Sequence, residues 1–372
     1  MRTSLKEKLE EAISSFIQAP LTLSKAIWGF PFLLLSAVYR TISSFIPLLY
    51  KLNILSAKKA SQIVISVGNL TIGGSGKTPF TLCLGKALMN YVSIPVVSRG
   101  YRARIESKKQ VIKVRDSKGI HCFVEDCGDE PYLLANHLTS ATVWAGPDRW
   151  QGIQKAIESG SKVVILDDAL QNFSVKKDYD IALINAPDLL KEVFYIPFGP
   201  FRENFLALKR CHLVVLNQVF EKQDIATYEK VLRKHYQGPV CFVCMSIDDE
   251  FKGRDSLFNV EFLKKKRNLA LAGIANPSAF KKQLLQKEIN LVDFISCYDH
   301  QIFHSELINS INEQVDKQNI DYIICTEKDW VKLKRFSFSV PLVYAPLSLN
   351  FIQGKQNFDG FVDEVVRSSN LK

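Results

Sequence analysis

The sequence lacks a disulfide framework. Its eight cysteines are scattered singly, apart from Cys241 and Cys244, whereas small secreted domains carry cysteines in dense, paired spacings. That one pair lies in the apolar segment "PVCFVCMSI" and has no second CxxC with which to complete a four-ligand zinc site. We therefore predict packed, reduced thiols, as in a cytosol-facing protein, rather than a zinc site.

The amino-terminal segment lacks the features of a cleavable signal and of a simple membrane span. Residues 1–20 are charged throughout, with apolar residues at helical spacing. In the next segment the longest uncharged run, Ala26 to Tyr39, is shorter than the roughly 20 residues that a membrane span needs.

Beyond that run, polar residues recur on one side of a helix and apolar residues fill the other sides. Bases flank the segment at Lys25, Arg40, Lys51, Lys58 and Lys59. This pattern favours a helix that lies in a bilayer interface, with Trp28 and Tyr39 at the headgroup level. A buried core helix and a tilted span interrupted by Arg40 are the alternatives. We expect the helices of residues 1–57 to associate with a membrane surface.

The chain is long and carries an excess of positive charge. Its 372 residues are enough for two ordinary domains, and its net charge is +10. Such a charge attracts nucleic acid or an anionic membrane surface. No aromatic-and-basic recognition motif accompanies the charge, so no nucleic-acid partner is expected.

Short apolar runs alternate with helical stretches after residue 60. Because the runs are continuously apolar, they predict an α/β protein whose mostly parallel sheet is covered by helices on both faces. A first series of predicted strands comprises Ile63–Val67, Pro95–Ser98, Ala141–Ala145, Val163–Leu166, Ile181–Asn185 and Leu213–Asn217. A second series comprises Val240–Cys244, Leu269–Ala272, Val292–Ser296, Tyr322–Cys325 and Val340–Tyr344. The polar stretch between them predicts a core over residues 58–217 and a smaller α/β domain over residues 218–372.

A glycine-rich bend follows the first predicted strand in "SQIVISVGNLTIGGSGKTPF", from Ser61 to Phe80. The Walker A pattern requires Gly, four further residues and then Gly-Lys-Ser/Thr. Its latter part is present at Gly73, Gly74, Ser75, Gly76, Lys77 and Thr78. Thr71 stands where the first glycine is expected. A glycine-rich turn without a ligand is the alternative, and the flanking strand and helix favour the phosphate loop.

The physical chemistry of the bend suits a nucleotide phosphate. Glycines adopt backbone angles closed to other residues, so successive N–H groups turn toward a phosphate, and the following helix adds its dipole. We expect Lys77 to bind the β and γ phosphates and Thr78 to bind Mg²⁺. The fold is therefore predicted to be P-loop NTPase-like, with ATP and Mg²⁺ as cofactors.

A carboxylate for Mg²⁺ is expected at the end of another apolar strand. In "SKVVILDDALQNF" four apolar residues precede Asp167 and Asp168, which is the Walker B arrangement. Adjacent aspartates at a strand end are also common as helix caps. The pair therefore indicates a metal site only in combination with the phosphate loop. Which carboxylate is nearer the metal stays open.

The motifs of two other nucleotide-binding classes are missing. A GTPase reads guanine with Asn-Lys-x-Asp; Asn217 is suitably placed, but Gln218 and Phe220 replace the lysine and the aspartate. Membrane-associated ATPases with a deviant Walker loop carry a lysine just before the glycine pair, where this chain has Ile72.

Eight short blocks, in order up to Asp329, resemble the tetraacyldisaccharide 4′-kinase family. The blocks are "VGNLTIGGSGKTP", "SRGY", "GDEP", "DDALQ", "PFGPFRE", "AGIANP", "YDHQIF" and "TEKD". Arg102 after SRGY and Ala169 within DDALQ stand where family members often have glycine. The hydrophobic amino-terminal helix is also similar to that of the family.

The resemblance implies an ATP-dependent lipid kinase of lipid A biosynthesis, at the cytoplasmic face of the inner membrane. Its acceptor would be the 4′-hydroxyl of a tetraacyldisaccharide 1-phosphate, an acylated glucosamine disaccharide lipid. It also implies that the smaller domain closes over the nucleotide cleft. The alternative is a nucleotide-switched membrane-binding ATPase, which shares the loop and the helix. The sequence fixes no oligomeric state.

The resemblance also implies roles for individual residues. Asp129 and His300 are implicated in activating the hydroxyl, with His304 as a competitor of His300, and Lys77 completes the predicted catalytic set. Gln171 and Arg202 are expected near the nucleotide. Substrate-binding roles are expected for Arg99, Tyr101 and Glu130. Surface ion pairs or structural roles are the alternatives for these binding residues.

Overall fold

The computed structural model describes residues 16–17, 29–158, 160–299 and 301–371. The chain forms two compact units. The first is drawn from residues 1–98, 148–244 and 351–372, and the second from residues 99–147 and 245–350.

The predicted boundary near residue 218 lies inside the first unit, which extends through residue 244 before the chain passes to the second. The stretch beyond it is polar in composition but amphipathic, and its apolar residues Ile225, Leu232 and Tyr236 belong to the buried core of that unit.

Eighteen strands lie in the described part of the chain. In chain order they are β1 Lys58–Lys59, β2 Ile63–Asn69, β3 Pro95–Ser98, β4 Ile112–Asp116, β5 Gly119–Ile120, β6 Thr142–Ala145, β7 Val163–Asp167, β8 Val175–Lys176, β9 Tyr179–Asn185, β10 Leu213–Asn217, β11 Val240–Ile247, β12 Glu250–Lys252, β13 Leu257–Asn259, β14 Asn268–Ala272, β15 Leu291–Ser296, β16 Tyr322–Thr326, β17 Leu342–Ala345 and β18 Leu347–Gln353. Every strand predicted from the sequence is present. The observed first residue lies within two positions of the predicted one, and the observed last residue within three.

Twelve α-helices lie in the same described ranges. They are α1 Phe30–Lys51, α2 Lys77–Met89, α3 Arg104–Lys108, α4 Val124–Cys127, α5 Asp129–His137, α6 Arg149–Ile157, α7 Ile225–Leu232, α8 Val260–Lys264, α9 Pro277–Gln286, α10 Ser305–Gln318, α11 Glu327–Leu333 and α12 Lys355–Leu371. Short 3₁₀ turns cover Ala186–Leu190, Phe205–Arg210 and Lys222–Asp224.

The first unit is built on a parallel sheet. Six strands follow one another in the order β11-β10-β9-β2-β7-β3, and each neighbouring pair is parallel. Every residue of β2 is buried, as is every residue of β7 and β10. Strands buried on alternating sides must be covered on both faces, so the predicted doubly covered α/β sheet is confirmed.

The carboxy-terminal helix belongs to this same unit. Phe358 of α12 meets Phe80 of α2 edge-on, with ring centroids 5.8 Å apart. Phe361 packs against Tyr179 of β9 at 5.4 Å. Helix α12 thus packs on the phosphate-loop unit.

The second unit contains a mixed six-stranded sheet in the order β13-β12-β17-β16-β14-β15. Strands β15, β14, β16 and β17 are mutually parallel, and β12 runs antiparallel to its neighbours. Along β14, Leu269 and Leu271 face one apolar cluster and Ala270 and Ala272 face another. This alternation gives the sheet two cores, one on each face.

Helix α1 lies largely outside both cores. Its large apolar residues are exposed at Phe30, Leu33, Leu34, Leu35, Val38, Ile42, Phe45 and Leu48. Ser36 is its one buried residue, so the alternative of a buried core helix is wrong. By length and composition α1 could cross a membrane. Residues 1–15 and 18–28 of the predicted membrane segment, including Lys25 and Trp28, lie outside the described residues.

Candidate active site

The phosphate loop occupies the turn between β2 and α2. Gly73 has φ +108° and Gly76 φ +82°, angles that favour glycine because it has no Cβ. Gly76 caps α2, and Lys77 is the first residue of that helix. The free N–H groups of a helix start provide a site for anions. The structure therefore places the predicted loop where it can receive a phosphate.

Two asparagines at strand ends hold the loop in place. The Asn69 side-chain amide donates to the Ser75 hydroxyl at 2.8 Å, and the Asn217 amide donates to the Ser75 carbonyl at 3.2 Å. Asn217 is the residue whose position suggests a guanine reader, but here its amide holds the loop. The sequence prediction did not include Asn69, although polar residues at carboxyl ends of parallel strands commonly serve sites.

Asp168 lies among cations. Lys77 Nζ is 3.6 Å from its carboxylate, and Arg202 donates to both of its oxygens at 3.1 and 3.4 Å. Burial raises the pKa of Asp168, but nearby cations outweigh burial and hold the pKa below its ordinary value. Those cations are Lys77, Arg202 and Arg149. The carboxylate therefore stays ionised beside the phosphate loop.

Asp167 is held differently, by hydroxyl groups. Its oxygens accept hydrogen bonds from Thr81 at 3.1 Å and from Ser98 at 3.2 Å. Its backbone carbonyl accepts from Arg149 at 3.0 Å, and the residue is buried. The two adjacent aspartates thus have distinct surroundings, and it is Asp168 that contacts the phosphate-loop lysine.

The donors at this edge fit Mg²⁺ chemically. Thr78, Asp167 and Asp168 offer a hydroxyl and two carboxylates, which are the hard oxygen ligands that Mg²⁺ prefers. Among the described residues, no group of three or more His, Cys, Asp or Glu side chains could hold a metal. A cation here would therefore take its remaining ligands from phosphate and water, as Mg²⁺ commonly does.

The segment "PFGPFRE" brings Arg202 to this site. Its backbone pairs with the chain after β2: Ile72 donates to the Pro200 carbonyl at 2.8 Å, and Arg202 donates to the Leu70 carbonyl at 2.7 Å. Gln171, from the turn after β7, donates to the Asn69 carbonyl and to Glu203, both at 2.9 Å. Arg202 thus faces Asp168, whereas the Gln171 amide braces the base of the loop.

The second unit contains a buried cluster of acids and lysines. Asp129 is the first residue of α5 and follows Gly128, whose φ is +93°. Lys332 of α11 lies 3.2 Å from the Asp129 carboxylate and 3.6 Å from that of Asp329. The structure therefore gives Asp129 a charged partner that the sequence did not reveal.

A second lysine of α11 organises the neighbouring acids. Lys328 lies 3.9 Å from Glu130 and 3.6 Å from Asp299. Burial lowers the pKa of Lys328, but the surrounding carboxylates outweigh it and raise the pKa above its ordinary value. Glu130 thus lies beside a half-buried cation. The predicted His300 lies outside the described residues, whereas its competitor His304 caps the start of α10 and is exposed.

Arg99 and Tyr101 form an exposed group of their own. Arg99 pairs with Glu106 at 3.2 Å. The guanidinium groups of Arg99 and Arg102 lie 5.8 and 5.4 Å from the Tyr101 ring centroid. Tyr101 is 45% exposed. Arg102 also donates to the Asp299 carbonyl at 3.1 Å, so this exposed group has polar partners of its own.

Several residues of these sites escaped the sequence prediction. The clearest are Asn69, Thr81, Arg149, Asn217 as a loop brace, and Lys332. Arg149 is the first residue of α6 and follows "GPD" after a strand, a position at which ligand-facing residues collect. Thr81 and Lys332 lie within helices and show no such signal.

The parallel sheet and the strand–loop–helix turn define a P-loop nucleotide-binding α/β protein. The family model LpxK, tetraacyldisaccharide-1-P 4′-kinase, matches residues 28–367. The chain belongs to this family.

Curated relatives and a solved structure agree with that assignment. Tetraacyldisaccharide 4′-kinase of Desulfotalea psychrophila is 32% identical over 84% of this chain and 90% of its own. That of Halothermothrix orenii is 28% identical over 90% and 91%. The crystal structure of "apo" form LpxK from Aquifex aeolicus in complex with ATP has a TM-score of 0.71 at 25% identity. It covers 90% of this chain and 98% of that one.

Proposed function

We propose that the protein is an ATP-dependent lipid kinase of lipid A biosynthesis. It transfers the γ-phosphate of ATP to the 4′-hydroxyl of a tetraacyldisaccharide 1-phosphate. One observation carries the proposal: in a member of this family, Lys77 and Arg202 converge on Asp168 at the mouth of a glycine-rich loop. Phosphoryl transfer relies on such positioning and charge neutralisation.

In the proposed reaction the phosphate-loop side holds the donor. The N–H groups between Gly73 and Thr78 bind the phosphates, and Lys77 turns from Asp168 to the γ-phosphate. Thr78, Asp167 and Asp168 would hold Mg²⁺, which would supply positive charge to the phosphates. Arg202 keeps its guanidinium beside these groups and binds phosphate oxygens.

The acceptor hydroxyl loses its proton as it attacks the γ-phosphorus. Asp129 is proposed to take that proton, with His300 assisting, and the bond from the γ-phosphorus to the bridging oxygen breaks to release ADP. Arg99, Tyr101 and Glu130 are proposed to bind the polar part of the lipid. The second unit thus supplies the groups that act on the acceptor.

The acceptor's acyl chains require that the enzyme work at a membrane. About 0.8 kcal/mol per buried CH₂ makes extraction of a tetraacylated lipid costly. Helix α1 offers an exposed apolar surface. Its Ser36 hydroxyl donates to the Tyr195 carbonyl at 2.7 Å and accepts from the Phe198 amide at 2.9 Å. The same loop continues to Arg202, so α1 ties the proposed membrane surface to the nucleotide site.

The contacts of α1 favour a helix that lies in the membrane interface and does not span the bilayer. We propose the cytoplasmic face of the inner membrane, as the sequence resemblance implies. Twenty-two residues are about 33 Å long, enough to cross the hydrocarbon. However, Ser36 and Arg40, near the middle of the helix, contact the loop at Tyr195. A spanning helix would place this polar backbone inside the hydrocarbon, where it is strongly disfavoured.

The proposal is tested by supplying γ-labelled ATP and a tetraacyldisaccharide 1-phosphate in detergent micelles. The expected result is labelled lipid in an amount that matches the ADP formed. Lipid-stimulated release of free phosphate without labelled lipid would contradict the proposal and indicate a nucleotide-switched ATPase. The same assay with the 4′-deoxy acceptor is the control, because no hydroxyl is then available.

A further inference from the structure

A basic cavity lies at the carboxy-terminal end of α1, within the first unit. Its volume is about 580 Å³. It is lined by the last turn of α1, by β1 and β8, and by the chain around Phe173 and Arg210. The cations in its lining are Lys51, Lys59, Lys176, Lys177 and Arg210. Asp180 is the one carboxylate among the lining residues, and none of these residues serves the proposed transfer reaction.

An aromatic ring forms the floor of the cavity. Phe173 stacks on Tyr50 of α1, with centroids 6.1 Å apart. Two cations lie against the same ring: Lys177 Nζ at 5.5 Å and Arg210 Cζ at 5.0 Å from its centroid. The floor therefore ties α1 to the body of the unit and holds two positive charges in fixed positions.

Those two inner cations already have anionic partners. Lys177 pairs with Asp180 at 3.0 Å and also donates to the Leu170 carbonyl at 2.9 Å. Arg210 pairs with Glu203 at 2.7 Å. Burial lowers the pKa of Lys177, and Asp180 only partly offsets it. These groups build the cavity wall, and their charges are largely compensated within the protein.

Three outer lysines are left without compensation. In the described part of the chain, Lys51, Lys59 and Lys176 form no ion pair within 4.0 Å. Lys59 and Lys176 are moreover register partners in the parallel β1–β8 pair, so their side chains leave the same face of the ladder and their like charges repel. This two-stranded ladder is only two residues long. An anion between the lysines would relieve the repulsion.

We propose that this cavity binds the phosphate group of an anionic phospholipid headgroup. The inference rests on the proposed membrane association of α1. Exposed apolar residues continue past the helix at Leu52, Ile54 and Leu55, so the apolar surface reaches the cavity rim. Lysines act as mobile point charges that accept a phosphate in many orientations. The cavity is thus suited to the phosphate of a lipid headgroup. Binding there would orient the enzyme on the anionic leaflet.

The test measures binding of the full-length protein to vesicles by sedimentation. One set contains phosphatidylcholine alone and the other contains 30 mol% phosphatidylglycerol. Lys59→Gln/Lys176→Gln removes the facing pair, and Lys58→Gln/Lys162→Gln is the matched control. Lys58 lies next to Lys59, but its Nζ lies 5.6 Å from the Trp150 ring centroid, and exposed Lys162 is not in the cavity lining.

We expect the first double variant to bind phosphatidylglycerol vesicles about tenfold more weakly, and the control to stay within about twofold of the parent. Both should match the parent on phosphatidylcholine vesicles and in detergent-micelle kinase activity, which shows that they fold. An equal loss in both double variants, or none in the first, would overturn the cavity while leaving membrane binding intact. Failure of the parent to bind either vesicle would instead overturn the proposed membrane association.

Two further measurements distinguish the source of the phosphate. Calorimetry with millimolar inorganic phosphate should detect no binding that depends on Lys59 and Lys176, because a free ion lacks the membrane's contribution. Kinetics in uncharged micelles should give the parent and the first double variant the same KM for the acceptor lipid. Saturable phosphate binding lost in that variant would assign the cavity to a free anion. A raised KM would assign it to the acceptor's own phosphate, and either result contradicts a phospholipid site.

Discussion

The two units each hold an aspartate beside a lysine, half-buried at Asp168 and fully buried at Asp329, and the surroundings move the two pKa values in opposite directions. In the first unit burial raises the pKa of Asp168, but cations led by Lys77 outweigh it and the pKa lies below its ordinary value. In the second unit burial raises the pKa of Asp329, and Lys332 offsets only part of the rise. A single lysine does not compensate burial there, whereas several cations do so at Asp168.

The partners of Asp168 can be exchanged for a ligand, whereas those of Asp329 are fixed parts of the fold. Lys77 and Arg202 are donors that a triphosphate also attracts, so their contacts with Asp168 can be replaced when a nucleotide binds. Asp329 instead accepts from the Gly273 amide at 2.9 Å and from the Thr326 hydroxyl at 2.6 Å. These bonds join two strand ends, which is a structural role.

The largest expected effect comes from removing the phosphate-loop lysine. Lys77→Ala should lower kcat/KM for phosphoryl transfer by roughly a thousandfold or more, because a charge that stabilises the transferred phosphoryl group is lost. The thermal midpoint should change little, since Asp168 keeps Arg202. The matched control is Lys86→Ala, an exposed lysine of the same helix, which should retain parental activity. Equal activity of the two variants would contradict the role of Lys77.

The next effect tests the acceptor side. Asp129→Ala and His300→Ala should each lower kcat by about 10²–10⁴-fold, the usual contribution of general acid–base groups. The affinity for ATP, measured by calorimetry, should change much less. His304→Ala is the companion variant. Unchanged turnover in His300→Ala together with a loss in His304→Ala would move the assignment to His304.

The fold could be predicted where burial imposes a continuous apolar run. Strands such as β2, β7 and β10 are apolar from end to end because helices cover both faces. Strands β4, β12 and β13 were missed, since the polar residues of "IKVRD", "EFK" and "LFN" are partly exposed. The division into units was missed because each unit is assembled from separated stretches of the chain, which local composition does not show.

The candidate site could be predicted where its residues are neighbours in sequence. The glycine bend, Lys77 and the Asp167–Asp168 pair are local patterns with a local physical reason. The partners of these residues are not local: Lys332 meets Asp129 across 203 residues, and Asn217 meets Ser75 across 142. Neither contact leaves a periodicity or spacing in the chain, so tertiary structure is needed to find it.

A smaller expected effect concerns stability in the second unit. Lys332→Met leaves Asp129 and Asp329 buried without their nearest cation, and breaking a buried ion pair costs about 3–5 kcal/mol. We expect a clear fall in the thermal midpoint, measured by calorimetry. Lys317→Met, at an exposed position of α10, should leave the midpoint unchanged. The double variant Lys332→Met/Asp329→Asn should recover part of the loss, and a double variant no more stable than the single one would contradict this account.

The smallest effect is a pH dependence that comes from Asp329. Because its pKa is raised on folding, the folded protein binds this proton more tightly than the unfolded chain, whose aspartates titrate near about 3.9. The stability contributed by the protonated group is fully present below that value and is lost as the pH rises through the folded-state pKa. Asp329→Asn cannot ionise, and its amide oxygen can still accept from Gly273 and Thr326. As the pH rises from about 4, the thermal midpoint of the variant should therefore increase relative to that of the parent. Asp255→Asn, at an exposed position of the same unit, is the control, and its thermal midpoint should equal that of the parent at every pH. If the difference in thermal midpoint between Asp329→Asn and the parent did not change with pH, the pKa of Asp329 would not be raised on folding, and this prediction would be wrong.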